Sequence, residues 1–373
     1  MRTKNIKKLV AFCLTMSVSL WMFGGSFVIA NNTADTSLVR DTSGGATPIV
    51  KAKWEMNGPS WSGTAFIGTG TDDTTAVGAQ FLPSGQYQVN KDISLCAVVT
   101  DPDGLADIDA VYADVFYPDV ALGDSHIPLN DQSGLGCEEL MQEDTLKRLS
   151  MDDGIELFCN KVRNNNNNLP TFNTNYNYDE ICNPETGELV KMTAAVYCGD
   201  KTISYEDPSG EYKVLAVAQD KNGLQGTLEN HFDYLPVVAF DKDFTAVNYG
   251  NVKLNTHKII SGDIDFSTSD KPTVRNVGNT RISIKVMQDD MGLGMTDGIY
   301  NVRYDGRVGS DAGFVNYVPY QTKTLPLALD LSEMNEMDFS IDISKFPPTD
   351  PGPGYTGTMT LSAQSAPHLS CEI

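Results

Sequence analysis

The sequence predicts a mostly β protein made of two tandem β-sandwiches, and three observations lead to this prediction. Short runs rich in β-branched and aromatic residues recur from residue 48 onward. Gly, Pro, Asn and Asp separate these runs and supply the backbone conformations that tight turns need. About 340 residues follow an N-terminal leader, which is too long for one core of ordinary size.

The first 30 residues have the organisation of a secretory signal peptide. Arg2 and three lysines precede an apolar run over 9–23, and the segment ends with the small residue Ala30. We expect cleavage after Ala30 and hence a secreted protein. An uncleaved anchor is the alternative, because 9–30 is just long enough to cross a bilayer of roughly 30 Å. No later segment is apolar enough to span a membrane.

The part after the signal peptide is strongly acidic. Removal of the four basic residues leaves 23 Lys and Arg against 49 Asp and Glu, a net charge of −26. Such a charge repels nucleic acid and anionic lipid and favours cations. Residues 31–47 are small, polar and without periodicity, so we expect a flexible leader there.

The first sandwich is predicted over 48–236. Within it, 110–117 alternates with period two, and DPDG at 101–104 and DKNG at 220–223 favour turns. Six or more such strands with turn signals are typical of an immunoglobulin-like sandwich. The strand candidates are 49–56, 93–100, 110–117, 193–197, 212–219 and 231–235.

An insertion is predicted over about 137–177. It is rich in Glu, Leu, Met, Lys and Arg, and Leu146 and Leu149 have helical spacing. We expect a helical hairpin and a polar loop, with Cys137 and Cys159 joined across its two arms. Pairing of these cysteines elsewhere is the alternative, because six cysteines outside the signal peptide allow 15 connectivities. The disulfide candidates are Cys96, Cys137, Cys159, Cys182 and Cys198.

The second sandwich is predicted over 237–366, followed by a tail at 367–373. Its runs are again short and separated by turn residues. The strand candidates are 244–249, 252–254, 258–260, 273–276, 281–287, 300–304, 325–331, 338–343 and 357–363.

Two sets of segments carry a resemblance to a known family. CAVVTDPDG at 96–104 and YKVLAVAQDKNG at 212–223 resemble the B and F strands of immunoglobulin-like modules in bacterial and archaeal surface proteins. VNYGNV at 247–252, PTVRNVGNT at 272–280 and YTGTMTL at 355–361 are similar to such modules too. The resemblance covers about half of the chain and implies a fold rather than an activity.

The resemblance implies that the B-strand cysteine position is filled by Cys96. The proposed F strand at 212–219 has no cysteine. The inter-sheet disulfide of antibody-type domains is therefore absent or rerouted, with Cys198 as a candidate partner.

In such a sandwich the B and F strands run in the same direction, so the loops after Thr100 and Gln219 are expected at one end. Clustered carboxylates there could bind a hard ion such as Ca²⁺. The alternative is a solvated turn, because Asp-x-Asp-Gly is a good turn sequence. The pattern is not an EF-hand, since Tyr112 stands where the bidentate Glu is needed. The candidate metal ligands are Asp101, Asp103, Asp107, Asp109, Asp220 and Asn222.

Other candidate sites have weaker patterns. The acidic loop at 289–294 has no nucleotide-binding glycine spacing. Ser125 lies in a Gly-Asp-Ser triplet, but no His has the Asp three residues earlier that the corresponding lipase and esterase family requires. Four aromatic residues could stack on sugars or pack the fold: Trp54, Trp61, Tyr176 and Tyr178.

These observations predict a secreted, non-enzymatic structural or adhesive protein of the cell surface, a sheath or an extracellular matrix. The expected partners are other cell-envelope proteins or further copies of the chain, and glycans are a third option. The alternatives are a secreted carbohydrate-binding module or, less favoured, a glycan hydrolase, because sequence alone cannot exclude a pair of catalytic carboxylates.

Overall fold

The computed structural model describes residues 45–68, 72–119, 140–165, 167–348 and 354–367. The signal peptide, residues 31–44 of the leader, Ser125, Cys137 and Cys371 lie outside these residues. The described part is mostly β, which confirms that aspect of the predicted fold class. None of its helices is long and apolar enough to cross a lipid bilayer.

The first sheet has a central strand that is buried on both faces. Its strands are β1 (Ile49–Asn57), β5 (Lys91–Thr100), β8 (Lys147–Arg148), β9 (Thr171–Phe172) and β10 (Ala194–Ile203). They are ordered β8-β10-β5-β1-β9, and the three long strands are antiparallel. Leu95, Ala97 and Val99 face one side of β5, while Cys96 and Val98 belong to a separate core on the other side.

A second sheet covers one face of the first. Its strands are β4 (Gln80–Phe81), β6 (Ile108–Phe116), β7 (Leu140–Thr145), β11 (Gly210–Asp220) and β12 (Gln225–Tyr234). They are ordered β4-β12-β11-β6-β7. Val111, Val115 and Val214 share one buried core with Leu95 and Val99 of the first sheet. We call these two sheets the N-terminal sheet pair.

The helical insertion covers the other face of the first sheet. It contains α1 (Met151–Gly154), a π-helix (Ile155–Val162) and α2 (Tyr178–Cys182). Asn177 caps α2, because its side chain accepts the N–H groups of Asp179 and Glu180. Phe158 packs against Trp54, with ring centroids 5.0 Å apart. A short hairpin, β2 (Trp61–Ser62) with β3 (Ala65–Phe66), lies beside this core.

The expected helical hairpin over 137–177 is only partly correct. The segment Leu140–Thr145 is strand β7, which pairs with β6. Leu146 packs between the two sheets, whereas Leu149 packs under the insertion. Their apparent helical spacing was therefore misleading, because the two side chains enter different cores.

Two disulfides hold the N-terminal sheet pair and its insertion. Cys159 is bonded to Cys182, at a sequence separation of 23 residues. The predicted bond between Cys137 and Cys159 is therefore wrong, although the two helical arms of the insertion are still joined. Cys96 is bonded to Cys198 across the neighbouring strands β5 and β10, where the two residues are paired in register. This bond lies within one sheet rather than between sheets.

The remaining strands form a C-terminal sheet pair. The larger sheet contains β13 (Phe240–Lys242), β14 (Lys258–Ile260), β15 (Thr273–Asn276), β19 (Val302–Val308), β20 (Val315–Tyr317) and β22 (Met334–Ile343). The smaller sheet contains β16 (Ile282–Gln288), β21 (Lys323–Leu329) and β23 (Met359–Ser365), ordered β21-β16-β23. Ile284 and Val286 of the smaller sheet share one core with Phe339 and Ile341 of the larger. A two-residue hairpin, β17 (Met295–Thr296) with β18 (Ile299–Tyr300), follows β16.

The strands predicted at 244–249 and 252–254 are not formed. Residues 244–253 are loop, and Leu254 makes only an isolated bridge to Ile343. Phe244 and Tyr249 are nevertheless buried in the C-terminal core. These two apolar side chains therefore pack into the core from a loop, although their backbone forms no β-strand.

Asn279 connects the two sheet pairs, which belong to one structural unit over residues 43–373. It is 2% exposed, and its amide accepts the N–H of Val237 at 2.7 Å and donates to the carbonyl of Leu235 at 3.0 Å. Its own carbonyl accepts the N–H of Ser209, in the loop before β11, at 2.7 Å. The junction near residue 236 is thus fixed by hydrogen bonds.

Candidate functional site

Three aspartates converge where β5 and β11 end. Asp101 follows β5, Asp107 precedes β6, and Asp220 is the last residue of β11. One carboxylate oxygen from each lies within 4.8 Å of the other two. The N–H of Lys221 donates to the carbonyl of Asp107 at 2.9 Å and joins the two loops. The expectation that the loops after Thr100 and Gln219 share one end of the sheets therefore agrees with the structure.

Each buried aspartate of this cluster has one oxygen that organises its own loop. Oδ1 of Asp220 accepts the N–H groups of Asn222 at 2.9 Å and Leu224 at 2.7 Å. Oδ1 of Asp101 accepts the N–H of Asp103 at 2.7 Å. These are Asx-type turns, which explains why the sequence reads as turn-forming. The two Oδ2 atoms are buried and accept no hydrogen bond within the described residues.

The surroundings of Asp101 disfavour its charged form. Burial raises the pKa of the Asp101 carboxyl, and the nearby charges of Asp107 and Asp220 raise it further, whereas the N–H of Asp103 opposes the rise. In the described ranges, no lysine or arginine forms an ion pair with any of the three. Hard carboxylate oxygens without a histidine or cysteine suit Ca²⁺ or Mg²⁺ rather than zinc.

The other three predicted ligands occupy different positions. Asp103 turns one oxygen toward the backbone, where Oδ2 accepts the N–H of Ala46. Asp109 is exposed at the start of β6, and Asn222 is exposed in the turn after β11. The structure thus gathers half of the predicted set. Metal binding itself remains a prediction.

Sequence reasoning missed the end of the leader. Residues 45–47 were expected to be flexible, yet the N–H of Ala46 binds Asp103 in the first aspartate loop. Gly45 has φ +98°, and a Cβ there would lie 3.0 Å from the Asn222 amide and the Asp103 carboxylate. A glycine is therefore needed at position 45, because its φ is positive and a Cβ would lie too close to these two side chains. Gly44-Gly45 was the only available signal.

A second candidate surface is the open edge of β23. This strand pairs only with β16 among the described strands. Beside it lies a groove of about 690 Å³, lined by side chains from β22, from β23 and from the loop after β13. Most of these side chains are apolar, but polar ones such as Lys242 and Asn248 also line it. Met359 and Leu361 line it from β23, and Val247 and Val252 line it from the loop. Phe346 and Tyr355, with stacked rings 5.6 Å apart, also contribute to its wall.

The aromatic residues proposed for sugar stacking are used largely in packing. Trp54 is 1% exposed, so its ring is not available at the surface. Trp61 donates its indole N–H to the carbonyl of Cys198 at 2.9 Å. Tyr178 stacks on Phe158 at 5.3 Å, and burial raises its pKa to about 12. Tyr176 lies under the ammonium of a buried lysine.

The acidic loop at 289–294 is held by its own backbone. Asp289 accepts the N–H groups of Met291 and Thr358, at 3.0 and 2.7 Å. Asp290 accepts those of Gly292 and Gly294, at 3.0 and 3.1 Å. The geometry agrees with a structural loop between β16 and β17.

Comparisons with known proteins give only distant similarity. No protein-family model and no curated protein matches the chain. Among solved structures, it is similar to the C-terminal domain of the Streptococcus agalactiae antigen I/II polypeptide BspA, at 12% identity over 86% of this chain and 96% of that one, with a TM-score of 0.18. The C-terminal domain of the Streptococcus pyogenes antigen I/II-family protein AspA gives 11% identity, coverages of 87% and 97%, and a TM-score of 0.18.

A third similar structure is described as a chaperone-tip adhesin complex in CFA/I fimbriae biogenesis, at 8% identity over 87% of this chain and 92% of that one, with a TM-score of 0.26. Scores of this size do not establish a shared fold. The three structures named above are described as two antigen I/II C-terminal domains and a chaperone-tip adhesin complex.

Proposed function

We propose that the protein is a secreted structural or adhesive component of the cell surface, without catalytic activity, whose copies associate by strand addition at β23. The observation that carries this proposal is the edge of β23, which is unpaired among the described strands and lies beside a groove lined by both apolar and polar side chains. In both sheet pairs the side chains between the sheets form packed cores. Loops and sheet edges are therefore the surfaces left for contact with other molecules.

β23 differs from the other sheet edges of the described strands. Edge strands usually carry charges or proline, or are very short, because an unpaired edge invites pairing with another chain. β4, β8, β9, β13 and β20 have two or three residues each, and β7 contains Glu143 and Asp144. β21 contains Pro326. β23, with the sequence MTLSAQS, has seven residues and neither a charge nor a proline.

The hydrogen-bonding register shows which groups of β23 face outward. The backbone N–H of Asp289 donates to the carbonyl of Thr358, and the backbone N–H of Ala366 donates to the carbonyl of Arg281. Because hydrogen-bonded pairs alternate in an antiparallel ladder, residues 360, 362 and 364 bond to β16. The N–H and C=O groups of 359, 361, 363 and 365 therefore point to the open edge.

An added strand would satisfy these groups and cover the groove. The smaller sheet has only three strands, while the sheet opposite has six. A fourth strand next to β23 would extend the smaller sheet and cover the partly buried side chains of Met359 and Leu361. Alternating apolar side chains of that strand would enter the groove, as in β-augmentation generally. We assign the donor strand to a second copy of this chain.

The test compares the assembly of purified chain from residue 31 with that of Ala363→Pro. Proline at 363 removes an outward N–H and leaves the ladder to β16 intact. Gln364→Ala is the matched control, because its N–H is directed to β16 and its side chain is exposed. Light scattering and electron microscopy are expected to show oligomers or ordered polymers for the wild type and Gln364→Ala, and monomers for Ala363→Pro. At dilutions where none of the three assembles, their melting temperatures should be equal, because association itself stabilises the folded state.

Two results would contradict the proposal. The wild-type chain could stay monomeric at high concentration, or Ala363→Pro could assemble as well as the control. Binding to a glycan array in the absence of assembly would instead favour the carbohydrate-binding alternative.

A further inference from the structure

We propose that Asp101, Asp107 and Asp220 form a Ca²⁺ site that ties two loops together at one end of the N-terminal sheet pair. The inference does not depend on strand addition at β23, which belongs to the other sheet pair. It rests on two buried carboxylate oxygens that have no hydrogen-bond partner within the described residues, and on the convergence of the three carboxylates.

The two oxygens of each buried carboxylate have different surroundings. Asp220 is 0% exposed and Asp101 is 4% exposed. In both residues Oδ1 accepts backbone N–H groups and fixes a turn, as described above. In both, Oδ2 is buried and has no hydrogen bond among the described residues. Turn formation therefore explains one oxygen of each side chain and leaves the other unexplained.

A cation would supply the partner that these oxygens lack among the described residues. A buried anionic oxygen without a donor is costly, and a third carboxylate oxygen, from Asp107, lies within 4.8 Å of both side chains. The nearest basic residue along the chain is Lys221, but its ammonium donates to the carbonyl of Ala106 at 2.5 Å. It is therefore engaged by a carbonyl oxygen rather than by the cluster.

The chemistry of the ligands favours Ca²⁺ over other ions. All three ligands are hard oxygens, which excludes a preference for soft metals. Ca²⁺ accepts six to eight oxygens in flexible geometry, so three carboxylates would leave the rest of the shell to water or carbonyl oxygens. Mg²⁺ requires near-ideal octahedral geometry, which ligands from two separate loops match less readily.

The consequence of binding is local. The cation would connect the loop after β5 with the loop after β11, and Asp103 of the first loop already holds Ala46. Bound Ca²⁺ would therefore stiffen the end of the sheets at which the leader joins them.

The test uses chelator-treated chain from residue 31, titrated with CaCl₂ at constant ionic strength. Calorimetry is expected to show one Ca²⁺ per chain, with a Kd on the order of 10⁻⁴–10⁻³ M as in weak extracellular sites. The melting temperature should rise with Ca²⁺, because the ion binds the folded state. Asp107→Asn is expected to weaken binding at least tenfold. Its side chain forms none of the turn hydrogen bonds described above, so the variant should fold.

Two further variants separate coordination from general charge and from turn structure. Asp109→Asn removes one exposed carboxylate from the same region and should leave the Kd unchanged. Asp220→Asn keeps the Oδ1 acceptor of the turn, and should melt without Ca²⁺ at or above the wild-type temperature while losing the Ca²⁺ response. The proposal is overturned if Ca²⁺ leaves the wild-type melting temperature unchanged, or if Asp109→Asn weakens binding as much as Asp107→Asn.

Discussion

Removal of the Cys159–Cys182 disulfide offers a quantitative test of how the insertion is held. The bond joins the π-helix to α2, the two elements that cover Trp54 and Val98 of the first sheet. The perturbation is the double replacement Cys159→Ala/Cys182→Ala. Single replacements would leave a free thiol, so the double variant is the cleaner choice.

The magnitude follows from the length of the loop that the bond closes. For a sequence separation of 23 residues, the chain-entropy relation gives about 3.4 kcal/mol of lost stability at 25 °C. The same relation gives about 4.7 kcal/mol for Cys96–Cys198, whose separation is 102 residues. The two double variants should therefore differ by about 1.3 kcal/mol if entropy of the unfolded chain dominates.

Urea unfolding monitored by tryptophan fluorescence is a suitable assay, because Trp54 lies in the core under the insertion. The free energy of unfolding should fall, and the slope with urea should rise, since an unfolded chain without the cross-link exposes more surface. Cys96→Ala/Cys198→Ala serves as the comparison. A loss below about 1 kcal/mol for the insertion variant, far under the relation's value, would refute the reasoning. It would mean that packing alone holds the insertion.

Three other substitutions test single interactions. Glu55→Ala should cost about 3–5 kcal/mol in urea unfolding, because it removes the carboxylate that pairs with the buried ammonium of Lys53, which is 1% exposed and would keep the neutral amide oxygen of Asn230 as an acceptor. Glu143→Gln should stabilise the protein by about 0.2–1 kcal/mol at pH 7, because Glu143 pairs directly with Asp114 across β6 and β7. Burial first, and Glu143 second, raise the pKa of Asp114, so the wild type should gain stability as pH falls through that raised pKa, and Glu143→Gln should gain less. Asn279→Ala should cost about 1–3 kcal/mol, measured by thermal unfolding, because two linker hydrogen bonds are lost; no change in melting temperature would contradict that role.

The local pattern of residues was sufficient for most strands. The expected ranges 258–260 and 273–276 agree with β14 and β15. The run at 93–100 was also identified, although it does not alternate in polarity. It does not alternate because the second sheet covers one face of β5 and the insertion covers the other.

The local sequence pattern does not show which core a side chain enters or which cysteine another cysteine bonds to. Leu146 and Leu149 have helical spacing but enter different cores, and Cys159 bonds to Cys182 rather than Cys137. In each case the outcome depends on which surfaces meet after the chain has folded. No spacing rule contains that information.

The aspartate cluster likewise combines a feature that the local sequence predicts with one that depends on tertiary contacts. The sequence by itself determined that acidic turns follow two core strands, because Asp, Asn and Gly are the residues that such turns need. Only the tertiary structure decided that the carboxylates of Asp101, Asp107 and Asp220 meet while that of Asp109 does not. This outcome depends on how the two sheets stack and on which carboxylate oxygens accept the N–H groups of the turns. Likewise, MTLSAQS is visibly free of charge in the sequence, but its position at an open sheet edge follows from strand order, which long-range pairing sets.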